Sequence, residues 1–202
     1  MKKTGHLLVT DLTSGGLTKA QRFFLLTGSI LPDILVHTYL KGHTWLGSFE
    51  DNCKRMRKLA EKGTYNWYSC LILGYILHYV EDYFTYPHNI GFTGSLAEHC
   101  QYEKEMLLYL QSELENEIIF KENDSILSSD MLCCYLHGLH SEYMRAKQCF
   151  ENDSKYAVVA VQQAAVYFFR VFQRNQETKK LNRQTAVVLS NYFFSQRKGG
   201  RI

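Results

Sequence analysis

Proline is nearly absent from this chain. Only Pro32 and Pro87 occur in 202 residues. Long helices are therefore free to form between them, because proline is the strongest interruption of a helical hydrogen-bond ladder. Long apolar runs are missing too. No stretch approaches the ~18 uninterrupted apolar residues of a spanning helix, so no transmembrane segment is expected. Charge of one sign is also lacking. The net charge is +3, and basic residues are scattered apart from Arg197, Lys198 and Arg201. That pattern argues against nucleic acid as a stable partner. The six cysteines include no CxxC pair. Cys70, Cys133 and Cys134 lie in apolar helical stretches, where buried reduced thiols are expected. After Lys2 and Lys3 only "HLLV" precedes Thr10 and Asp11, too short for the apolar core of a signal peptide. The expectation is a cytoplasmic protein with free thiols.

What is present is an ordinary globular composition, 46% apolar and 21% charged. Helical periodicity predicts a first helix over about Thr18–Ile30, ended by Pro32, which disfavours helix in the residue before it. A charged helix over Phe49–Lys62 stops at Gly63. Tyr65–Tyr86 is apolar nearly all round and reads as the central buried helix, ended by Pro87. Further helices are expected over Ser95–Phe120, Leu127–Phe150, Lys155–Gln173 and Glu177–Phe194. Strand patterns are weak, and no repeat or linker splits the chain. An all-α, single-domain bundle of about seven helices over residues 1–202 is therefore expected.

Six of the eight histidines fall in the first half: His6, His37, His43, His78, His88 and His99. His78 and Asp82 are four apart on the central helix, which puts both on one face. Gly74, a turn earlier on that face, leaves room for another group. A buried carboxylate there needs a partner, because burying it alone costs several kcal/mol, of order 2–7. A cation supplies one. His88 follows Pro87, where the chain can turn back toward the same cleft. His99 and Glu103 repeat the spacing of four on the next helix. Imidazole and carboxylate in this mixture suit zinc. Asp33, with His43 or His37, can complete the set around His78 and Asp82. His6 alone is unremarkable. His137 and His140, three apart, have only Glu142 nearby and read as non-ligands. Tyr75, Tyr79, Tyr83 and Tyr86 serve either the core or a cleft.

The order His6, "PD" at Asp33, His43, "HYVEDYFTYPH" and "HCQYE" resembles the bacterial zinc-dependent phospholipase C family, which is related to the single-strand-specific zinc nucleases. The resemblance covers roughly residues 1–105. It implies an all-helical fold with zinc at the bottom of a cleft. It implies that Asp33, His43, His78 and Asp82 hold one zinc, that His88, His99 and Glu103 hold a second, and that His6 and a bridging Asp82 hold part of a third. Secreted relatives bind that third ion through an N-terminal tryptophan, and no tryptophan precedes Trp45 here. Two or three ions are therefore expected. The implied reaction is phosphodiester hydrolysis, with Asp33 and Asp82 catalytic and a phospholipid head group among the substrate options. Contact with a membrane surface is then an option. The alternative is a metal-binding protein of the same fold with weak or no catalysis. An HD phosphohydrolase needs adjacent His and Asp, and no such dipeptide occurs.

Overall fold

The computed structural model describes residues 3–35, 43–113 and 125–199, with side chains as far as residue 186. Among the described residues there are seven α-helices and no strand: α1 Lys3–Asp11, α2 Lys19–Ile34, α3 Trp45–Lys62, α4 Trp67–Asp82, α5 Leu96–Glu113, α6 Ser129–Tyr143 and α7 Phe150–Gly199. A short 3-10 turn, Tyr86–His88, lies between α4 and α5. The all-helical class follows the sequence expectation. Among the described residues no helix is long and apolar enough to cross a membrane.

The central helix is α4. Its second half, Ile76 to Asp82, is buried on every side, as the all-round apolar pattern requires. It starts at Asn66, whose side chain accepts from the Ser69 amide and satisfies one of the free N–H groups of the first turn. It packs most extensively on α2, and also on α7, α3 and α1.

Several expectations about element boundaries need correction. The "HLLV" segment is part of a helix, α1, which buries Gly5, His6, Val9 and Thr10. Those positions recur at helical spacing on one face. Pro32 does not end α2 but lies inside its last turn. An interior proline costs about 3 kcal/mol in an isolated helix. Here Leu25, Gly28, Ser29 and Pro32 form a buried stripe against α4, and the Leu35 amide still closes the final turn on the Leu31 carbonyl. The two helices predicted at the C-terminus are one, 50 residues long. Neither Gly nor Pro interrupts the segment between them. The start predicted at Phe49 moves back to Trp45, where Thr44 caps the helix through the Gly47 amide. The predicted end at Phe120 lies outside the described residues. Cys70 and Cys133 are buried, but Cys134 is exposed.

The room expected beside Gly74 is filled by backbone. A Cβ on Gly74 would collide with the Leu25 carbonyl, and one on Gly28 with the Leu71 carbonyl. The two glycines let α2 and α4 approach until backbone touches backbone. This approach brings Leu25 beside Gly74 and Ser29 beside His78. Both helices therefore run the same way, and both end at the same place.

Candidate metal centre

His78, one turn before the end of α4, is fully buried. Its Nδ1 donates to the Ser29 carbonyl at 2.8 Å. A carbonyl can only accept, so the proton sits on Nδ1 and Nε2 presents a lone pair. Three other groups converge on that lone pair. His43 Nδ1 lies 3.2 Å away. Asp82 Oδ2 lies at 3.2 Å and Asp33 Oδ1 at 3.7 Å. His43 Nδ1 and Asp82 Oδ2 are 3.5 Å apart. A tetrahedral zinc with bonds near 2.0–2.1 Å sets its ligand atoms roughly 3.3 Å apart. These spacings bracket that value, so the four side chains fit one ion.

Asp82 faces a second group with its other oxygen. Oδ1 lies 3.5 Å from His6 Nε2 and 3.5 Å from His88 Nε2. His88 Nε2 is in turn 3.5 Å from Glu103 Oε1, which lies 2.8 Å from His99 Nε2. Three sets, the first two sharing His78, could each hold an ion: Asp33, His43 and His78; His6, His78 and Asp82; and His88, His99 and Glu103. The structure thus brings together all eight residues singled out from the sequence. His37 lies outside the described residues. His137 and His140 lie apart from the cluster, and His140 stacks on Trp45 at 3.6 Å between ring centroids and donates from Nε2 to Asn89 Oδ1 at 2.7 Å. Tyr79 and Tyr83 are core residues, whereas Tyr75 and Tyr86 are half-buried.

The electrostatics couple carboxyls and imidazoles tightly. Burial pushes the Asp82 carboxyl up, but the surrounding positive charge, His88 first among it, outweighs burial and holds it well below the usual range. Glu103 is likewise lowered: His88 and His99 overcome the effect of burial. Burial pushes His6 and His88 down and so favours neutral imidazole, the form that ligates metal. Asp33 is raised by burial, with Asp82 adding to it. Several buried atoms here also lack a hydrogen-bond partner: His6 Nε2, His43 Nε2, His88 Nε2 and Glu81 Oε1. Orphaned polar atoms in such density are costly unless something binds there.

One functional neighbour escaped the sequence reading. Glu81 is fully buried, and its Oε2 lies 2.9 Å from His6 Nδ1. This carboxylate–histidine contact leaves His6 Nε2 facing Asp82, the arrangement that orients metal-binding imidazoles in many sites. The only available signal was a second carboxylate inside the apolar "HYVED" segment, beside Asp82.

The turn carrying His88 is held from behind by α7. Asp153, fully buried, accepts from the Tyr86 amide at 2.8 Å, from Tyr102 at 2.7 Å and from Tyr143 at 2.9 Å. Asn89 donates to the Tyr83 and Thr85 carbonyls at 2.9 Å each. Ser95 and Glu98 cap α5 reciprocally and set the phase of His99 and Glu103.

Among the described residues, seven helices surround interlinked histidines and carboxylates that could hold divalent metal. The family model for zinc dependent phospholipase C matches residues 5–150. The chain belongs to that family, and all eight residues of the cluster fall within the match. No curated protein and no solved structure matches the chain.

Proposed function

We propose that this protein hydrolyses phosphodiesters in the manner of a phospholipase C, with two or three zinc ions held by the eight-residue cluster. The observation that carries the reading is the division of Asp82: Oδ2 faces His43 and His78, and Oδ1 faces His6 and His88. A carboxylate so placed can bridge ions. Asp33, His43, His78 and Asp82 would hold one ion, His88, His99 and Glu103 a second, and His6 with Asp82 part of a third. Zinc held there supplies positive charge to phosphate oxygens and makes water a stronger acid. Asp33 is 23% exposed, against 1% for Asp82 and none for His78. It is the member of its set that incoming water and substrate meet first. It orients the water and accepts its proton while the water oxygen bonds to phosphorus. The bond to the departing alcohol then breaks with its electron pair, and that oxygen takes the proton back.

The burial of the cluster favours a second reading, a metal centre that serves the fold without turnover. Elemental analysis after chelator-free purification should find about two or more zinc equivalents per chain, and a chromogenic phosphodiester should be hydrolysed by wild type but not by Asp82→Ala. Absence of metal would sink both readings. Full metal with no turnover of phospholipid, nucleotide or generic diesters would leave only the second.

A further inference from the structure

On the face of α3 that carries Arg55, Lys58 and Lys62 lies a groove of about 390 Å³. These cations recur at spacings of three and four, so they form one stripe along the helix. The stripe spans roughly 10 Å at 1.5 Å per residue. The opposite wall comes from α4, where Tyr68, Ile72 and Tyr75 recur at the same helical spacing. Leu59 forms part of the lining, and no acidic residue lines the groove among those described.

One donor of this stripe, on Arg55, is not satisfied by a hydrogen bond within the protein. Arg55 lies over the rings of Tyr75 and Tyr79, with its guanidinium carbon 5.3 and 5.7 Å from their centroids. Its Nη1 is shielded from solvent and has no hydrogen-bond acceptor. By contrast, Lys54 and Arg57, which do not line the groove, pair with Asp51 and Asp130. A groove with apolar and aromatic walls, a row of cations and an unsatisfied guanidinium donor complements a molecule that is apolar along its length and anionic at its head.

We propose that this groove binds a single-chain anionic amphiphile, the alkyl chain against Tyr68, Ile72 and Tyr75 and the carboxylate or phosphate head among Arg55, Lys58 and Lys62. None of these residues belongs to the metal cluster, so the site operates whether or not the metal centre hydrolyses anything.

The test is calorimetric titration of the full-length protein with dodecanoate and, separately, dodecyl phosphate, below their aggregation concentrations. Each titration is run on the metal-loaded protein and again after chelation. Saturable one-to-one binding is expected with both heads and is expected to survive chelation. Lys58 and Lys62 are exposed, so the double reversal Lys58→Glu with Lys62→Glu leaves the fold intact, and it should weaken binding roughly tenfold to thirtyfold. Reversal of Lys54, outside the groove, should change it by less than about twofold. Circular dichroism and melting of each variant show that the fold is retained. The proposal is overturned by an absence of saturable binding, by equal competition from dodecyltrimethylammonium, by inorganic phosphate binding as well as the alkyl phosphate, by binding to anionic vesicles alone, or by an unaffected Lys58→Glu, Lys62→Glu variant.

Discussion

Replacing Glu81 with leucine separates the metal centre from the fold. The substitution removes the acceptor 2.9 Å from His6 Nδ1. Groups that orient a ligating histidine typically contribute tenfold to a hundredfold in metal affinity, which is about 1.4–2.7 kcal/mol. Stability moves differently. Losing the contact leaves a buried imidazole N–H unsatisfied, at a cost of about 1–3 kcal/mol. The same change removes a carboxyl that burial and the neighbouring Asp82 and Asp33 push well above its usual range, a relief that offsets that cost. The metal-free variant should therefore melt close to wild type while zinc binds tenfold to a hundredfold more weakly in competition with a chromogenic chelator. Glu81→Gln keeps an oxygen in the same place and should stay within about threefold of wild type. Nitrogen-15 spectra of His6 give a second readout, since leucine removes the bias toward Nδ1–H. Wild-type zinc affinity in Glu81→Leu, with an unchanged His6 tautomer, would refute the orienting role.

Gly74→Ala places a methyl group against the Leu25 carbonyl, so denaturant unfolding should show a loss of about 1–3 kcal/mol, the range for overpacking. It should also lower zinc stoichiometry, because α2 carries both the Ser29 carbonyl on His78 and Asp33; unchanged stability would contradict the close crossing. Asp153→Asn tests the support behind His88. Burial raises the Asp153 carboxyl despite its three donors, so the folded protein holds this proton more tightly than the unfolded chain. The group's contribution to stability is fullest below about pH 4 and declines as pH rises through the raised value. The gap between wild type and Asp153→Asn, followed by denaturation, should therefore shrink with rising pH and then level off. A gap that widens contradicts the assignment.

The cluster was legible because its chemistry is written in local spacing. His78 with Asp82 and His99 with Glu103 are each one helical turn apart, and helix geometry alone puts each pair on one face. Glu81 was not legible, since its meaning depends on His6 arriving from 75 residues away. The same limit explains Pro32 and Gly74. Local preference ends a helix before a proline and reads a small residue as open space, whereas here packing of α2 on α4 decides both. Asp153 was hidden for a further reason. It looks like an ordinary acidic residue in the first turn of a helix, and only the fold brings Tyr86, Tyr102 and Tyr143 to it.

The parallel packing of α2 and α4 also bears on why cations suit this place. Asp33 is in the last turn of α2, and Asp82 is the last residue of α4. The C-terminal end of a helix carries a partial negative charge, about half a unit, though the turn after α4 satisfies its Tyr79, Glu81 and Asp82 carbonyls. Both ends point at the cluster, because the Gly28–Gly74 contact aligns the helices in the same direction. Two helix termini and the low-lying Asp82 and Glu103 carboxyls together make a site whose field favours positive charge. An anion would meet the opposite. If ions are held there as proposed, they would reverse the sign of that field, so a phosphodiester is expected to bind the metal-loaded protein and not the metal-free one.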